Sequence, residues 1–237
     1  MDPAPRPGSF RLAVVLIATL AAVSGAVDVV SLVYAEVFVA NQTGNLVVVA
    51  AASLSSPDRV ALALIALAGF TVGVVSAALI RRAMSPRWSL TVVRETQLAV
   101  EVVLVVAAAV LLALTPSDQG LRLLAPIGLM ALAQGIQAVL LTRLLGRGVR
   151  TVAVTGPLTD AIVQGVESWG RPSAPGGNRR RLVLLAVATP AGYAAGAALG
   201  AVAVRSGAHI GLVAAVLLSL VAAVVARGVE VRGADIA

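Results

Sequence analysis

Two carboxylic acids, Asp28 and Glu101, fall well inside apolar runs of this chain. An acidic group at bilayer depth costs about 2.5 to 3.5 kcal/mol on insertion scales, so it faces protein or water rather than lipid. Ser24, Asp28 and Ser31 recur at helical spacing and form one polar stripe beside Gly25. Glu101 lines up with Gln97 and Arg94 in the same way, and Gln134 and Gln137, three apart, share a face of a later run. Asp160, Gln164 and Glu167 stripe a further segment. Brought together around one polar cavity, such residues would bind and couple: a carboxylate exchanges a proton or a cation while amides hold a solute. Asp28 is the first candidate for coupling and Glu101 the second. The plainer reading makes both of them hydrogen-bond partners between helices.

Two short polar interruptions extend the pattern, Asn41-Gln42-Thr43-Gly44-Asn45-Leu46 and Val154-Thr155-Gly156-Pro157-Leu158-Thr159-Asp160. In hydrocarbon every backbone polar group must find an internal partner, so a break at membrane depth is tolerated only where protein or a water-filled cavity covers it. β-prone residues precede each break, Val37-Phe38-Val39 in one and Thr151-Val152-Ala153-Val154 in the other. An extended piece followed by a half-helix is therefore expected at each. Thr43 or Asn45 would cap the first half-helix and Thr155 the second, while Gly44 and Gly156 allow close backbone approach. Two such helix starts facing one cavity favour an anion or the electronegative end of a solute, with about 0.3 to 2 kcal/mol from each. Thr43, Gly44, Asn45, Thr155, Gly156 and Gln137 are the candidate solute contacts.

The elements that must position these residues are membrane spans. Hydrophobic residues make up 59% of the 237, charged residues 12%, and mean hydropathy is +0.98, far from the roughly 25% charged content of a soluble domain. Six runs meet the length of about 20 residues needed to cross: Leu12 to Tyr34, Val60 to Ile80, Leu90 to Leu114, Leu121 to Leu141, Leu182 to Val204 and Ala208 to Ala226. The stretches Thr43 to Ser53 and Thr155 to Ser168 would be only about 16 to 21 Å long as helices. A small-residue stretch, Ser24-Gly25-Ala26, resembles a signal-peptide cleavage site, but the apolar run continues to Tyr34 and the segment reads as a span.

Arginine placement bears on whether the two short stretches cross. All 18 basic residues are arginine. With both termini cytoplasmic and both stretches re-entrant, only Arg59, Arg122 and Arg205 are left outside, whereas two full crossings divide the arginines almost evenly. The positive-inside bias favours six spans and two re-entrant pieces; the competing reading treats Val37 to Leu54 as a true crossing. The halves also align. Gly25 and the break at Thr43-Gly44 correspond to Gly135 and the break at Thr155-Gly156, and Gly69 and Gly73 correspond to Gly192 and Gly196. Three crossings per half make the duplication inverted, with repeats over about residues 11–115 and 120–228 of a single membrane domain.

The residues Gly25-Ala26-Val27-Asp28, Phe38 through Thr43-Gly44-Asn45-Leu46, Glu101, Gly135-Ile136-Gln137 and Thr151 to Asp160 resemble those of the YoaK-like family of bacterial inner-membrane proteins, a family of unknown function. The resemblance runs over nearly the whole chain. It implies a multi-pass protein of the cytoplasmic membrane and implies no substrate. Pro157 stands where a small polar residue is expected in that family's pattern, which sets its side chain apart from ligand contact.

The absences narrow the function. There is no cysteine or lysine and one histidine, His209, which excludes thiol nucleophiles, Schiff bases and a Walker lysine. HExxH and GxSxG motifs are lacking too, so an intramembrane enzyme has the least support. The charge of +7 belongs to topology-setting loops facing lipid rather than to nucleic acid. The expectation is an all-α polytopic membrane protein acting as a small secondary transporter or channel, with no cofactor or metal. Its expected partners are the lipid bilayer and a small solute, homo-oligomerisation staying open. The alternative is a non-transporting scaffold or assembly partner.

Overall fold

The computed structural model describes residues 7–114, 120–144, 159, 162–163, 166 and 178–228. Among them the chain is all helical: α1 (Pro7–Ala35), α2 (Gln42–Ala52), α3 (Pro57–Met84), α4 (Leu90–Leu114), a 3-10 turn (Gly120–Leu123), α5 (Leu124–Leu144), α6 (Asn178–Val204) and α7 (Ala208–Arg227). All except α2 and the short turn contain stretches long and apolar enough to cross a membrane, which makes six spans. The exposed side chains of Val75, Leu79, Val103, Val110, Leu217 and Val224 belong to these helices. In water such a surface would associate; in a bilayer it meets acyl chains.

Local signals set the helix ends. Pro57 occupies the first turn of α3, where its missing N–H costs nothing. Gly207 precedes α7 with φ of 131°, a conformation that L side chains rarely adopt, and so permits the tight α6–α7 connection. The first half-helix begins at Gln42, and its cap is Asn41, whose side chain accepts from the Gly44 N–H. This corrects the expectation of Thr43 or Asn45 as cap. The residues before it, 36–41, form bends rather than a strand.

The bundle is built around α1, whose residues Leu16, Leu20, Val23, Val27 and Val30 are all buried. Helix α1 packs mainly against α6 and α7, α3 against α5, and α4 against α5 and α7. Lipid is as apolar as leucine, so spans are held by close packing and hydrogen bonds rather than by hydrophobic burial. Small residues supply the close packing. A Cβ at Gly25 would strike the carbonyl oxygen of Tyr193 and lie 2.8 Å from the Ala197 nitrogen; one at Gly135 would strike the Phe70 carbonyl oxygen and lie 2.9 Å from the Val74 nitrogen. Gly192 and Gly196 face the carbonyls of Ala18 and Ala22, as Gly69 and Gly73 face those of Gly128 and Leu132. Each of these glycine contacts at α1–α6 thus has a counterpart at α5–α3, displaced along each helix by one constant step.

Contacts at the helix ends fix the directions. Glu36, just past α1, pairs with Arg59 at the start of α3, and a Cβ at Gly120 would lie 2.8 Å from Asp58 Oδ2. At the opposite end Arg227 Nε lies 3.7 Å from Glu95 Oε1, and Gly228 abuts Leu12. The spans therefore alternate, and α2 begins and ends between an exit from α1 and a start of α3 that lie together.

Candidate functional site

Asp28 anchors the loop ahead of α2. Its Oδ1 accepts the N–H of Val39 at 2.8 Å and of Ala40 at 2.7 Å, and its Oδ2 accepts the Tyr193 hydroxyl at 2.7 Å. The carboxyl group is 2% exposed, and its two oxygens accept from these three donors. Asn45 completes the fastening. Its Oδ1 accepts from the Phe38 N–H at 2.9 Å, and its Nδ2 donates to the Phe38 carbonyl at 2.6 Å and to Gln42 Oε1 at 2.9 Å. Gln42 Nε2 in turn donates to the Val39 carbonyl at 2.7 Å. Gly44 leaves room for the Phe38 ring, which a Cβ there would approach to 2.7 Å. The Thr-Gly-Asn segment is in large part a clamp that holds the loop. Only Thr43 among its three residues is exposed, with its hydroxyl 3.3 Å from Asn41 Oδ1.

A second group joins α1 to α5. Ser24 Oγ donates to Gln134 Oε1 at 2.7 Å and accepts from Gln137 Nε2 at 3.0 Å; the same Nε2 reaches the Leu20 carbonyl at 2.9 Å. All three side chains are fully buried. Among the described residues, Gln134 Nε2 has no acceptor and Gln137 Oε1 has no donor. One amide thus offers a free donor and the other a free acceptor, both held in place through one serine hydroxyl.

The third group lies on α4. Arg94, Gln97 and Glu101 are buried together along one face, as their spacing predicts, and Gln97 Nε2 donates to the Ala77 carbonyl of α3 at 3.0 Å. Glu101 is 1% exposed, and neither of its carboxylate oxygens has a hydrogen-bond partner among the described residues. Thr189 Oγ on α6 is buried without a partner in the same sense. Glu101 lies near the middle of its span, as do Ser24 and Gln134.

The geometry separates residues that the sequence treats alike. Asp28 and Glu101 are both acids at depth, yet one carboxyl group accepts three donors and the other has none among the described residues. Gln137 joins Ser24 and Gln134, while Gly44 and Asn45 gather around Phe38 and Thr43 lies exposed beside Asn41. Thr155, Gly156, Asp160, Gln164 and Glu167 lie outside the described residues, so the pairing of two helix starts is not placed. Two contributors were missed in the sequence. Asn41 carries the residue type favoured at a helix cap and was legible as such; Thr189 sits in an apolar run with nothing beside it to mark it. Among the described residues, no three His, Cys, Asp or Glu side chains group closely enough to hold a metal.

The family model described as "Protein of unknown function (DUF1275)" matches residues 16–225. No curated protein and no solved structure matches the chain.

Proposed function

The chain belongs to the DUF1275 family, and because that family's description carries no activity, we propose from the chain's own residues that it is a small secondary transporter coupled to a proton or cation through Glu101. The observation behind this reading is the Glu101 carboxylate, buried near mid-span with no partner among the described residues. An ionised carboxylate removed from water without a partner carries a penalty of several kcal/mol. A proton or a bound cation removes that penalty when the site is closed, and water removes it when the site is open. That exchange is what couples an ion to alternating access. Asp28, first in rank by sequence, is given a positioning role here, because its lone pairs are already engaged by Val39, Ala40 and Tyr193.

The solute is read as small and polar. Gln134 Nε2 and Gln137 Oε1 offer it one donor and one acceptor, the match for an amide, a urea-like group or a carboxylic acid. Helix α2, about 16 Å long and flanked by the Glu36–Arg59 pair, is read as re-entrant. The matched glycine contacts at α1–α6 and α5–α3 support an inverted repeat, the architecture in which two halves rock about a site near the midplane. The arginine distribution and the YoaK-like resemblance support the cytoplasmic membrane, with both termini cytoplasmic.

The test is flux. Purified protein in proteoliposomes with an internal pH dye is offered a panel of small amides, carboxylates and nucleobases, chosen by thermal shift. At least one solute is expected to move with a pH change, and Glu101→Gln is expected to abolish the pH change. A panel that neither stabilises the protein nor crosses the membrane defeats the transport reading and favours a scaffold.

A further inference from the structure

A separate feature lies at the end of the bundle marked by Glu95 and Arg227. There the last turn of α3 leaves a cleft of about 230 Å³ against α5, lined by Ala78, Arg81, Arg82, Ser85 and Val139. Two guanidinium-bearing residues stand at consecutive positions, with the Ser85 hydroxyl one turn on, donating to the Arg81 carbonyl. Guanidinium is the side-chain group suited to bidentate recognition of phosphate. Ala78 and Val139 supply an apolar wall.

The position of the cleft bears on its ligand. It lies where α3 leaves its apolar stretch, and Trp88 follows at 57% exposure, an amphipathic ring of the type found at the membrane–water boundary. One turn toward mid-membrane, Val75 and Leu79 are exposed at 51% and 58%. A basic cleft at headgroup depth thus continues into an apolar track along α3. A free phosphate would use the first and leave the second idle; a phospholipid uses both.

We propose that the cleft between α3 and α5 binds the phosphate of an anionic phospholipid headgroup, with the acyl chains lying along Val75 and Leu79. Arg81 and Arg82 hold the phosphate oxygens. This site is independent of the coupling assigned to Glu101.

The experiment is a lipid titration of the full-length protein in detergent, read by thermal shift and native mass spectrometry. Dioleoylphosphatidylglycerol is expected to stabilise the protein and remain bound, while dioleoylphosphatidylcholine and inorganic phosphate at the same concentration do neither. Arg81→Gln and Arg82→Gln should each weaken phosphatidylglycerol binding about tenfold, the scale of one charged hydrogen bond. Arg87→Gln removes the same charge outside the cleft and should leave binding unchanged. Ala78→Trp, on an exposed position, fills the cleft without altering charge and should weaken binding as much as the arginine variants. Equal loss in Arg87→Gln, retained binding in Ala78→Trp, or equal stabilisation by inorganic phosphate would each overturn the proposal.

Discussion

Tyr193 on α6 donates its hydroxyl to Asp28 Oδ2 at 2.7 Å, joining residues 165 apart in the chain. The same carboxylate holds the N–H groups of Val39 and Ala40. One buried acid therefore ties the loop ahead of α2 to both α1 and α6.

Tyr193→Phe removes one of these bonds and should lower stability by about 0.5 to 3 kcal/mol, the range spanned by hydrogen bonds to neutral and charged groups. Asp28→Ala should cost more, since it also leaves two backbone N–H groups without their acceptor. Thermal unfolding of the two variants in detergent ranks them. Melting of Asp28→Ala at the wild-type temperature would show that the carboxylate does not hold the loop.

Glu101 predicts the opposite sign. Replacing a buried carboxylate that has no partner among the described residues by an apolar side chain of similar size removes a desolvation cost, so Glu101→Leu should raise the melting temperature while abolishing the proposed ion-coupled flux. Stability and activity are then measured on the same preparation. A lower melting temperature would mean that this carboxylate is engaged in the fold.

The glycine contacts predict a matched pair of defects. An added methyl at Gly73 collides with the Leu132 carbonyl and at Gly196 with the Ala22 carbonyl, whereas at Gly128 the nearest atom, Ile65 Cγ1, is 3.4 Å away. Gly73→Ala and Gly196→Ala should each destabilise by about 1 to 3 kcal/mol. Gly128→Ala should be close to neutral in the same thermal assay, and dissimilar effects at Gly73 and Gly196 would count against an inverted repeat.

Topology is open to direct labelling because the chain contains no cysteine. Leu54, Ser206 and Trp88 are all exposed. Leu54→Cys and Ser206→Cys should react with an impermeant thiol reagent from one face of the membrane, and Trp88→Cys from the other. Leu54→Cys and Trp88→Cys reacting from a single face would mean that α3 does not cross. Asn45 is a poor reporter, since its side chain is buried.

Much of the candidate site was legible as residue type and face. Ser24, Gln134 and Gln137 were placed on their faces by helical spacing alone, and all three are buried where two of those faces meet. The ranking of the two acids was not legible, because the donors to Asp28 include the Tyr193 hydroxyl and the N–H groups of a loop with no regular structure. Neither the fold-back of that loop nor the neighbouring helix follows from periodicity. The cap at Asn41 was missed for a smaller reason: the break was read from Thr43-Gly44, where the glycine serves the Phe38 ring rather than the helix start.

By itself the sequence determined that the chain is an all-α membrane protein with six runs long and apolar enough to cross, because length and hydropathy are properties of each segment alone. It also determined which faces carry polar groups, because the period of the helix is fixed. Tertiary structure alone decided which of those groups are satisfied. A donor and an acceptor far apart in the chain meet only through packing, and in a medium without water that meeting separates a carboxylate that holds the loop from one without a partner among the described residues.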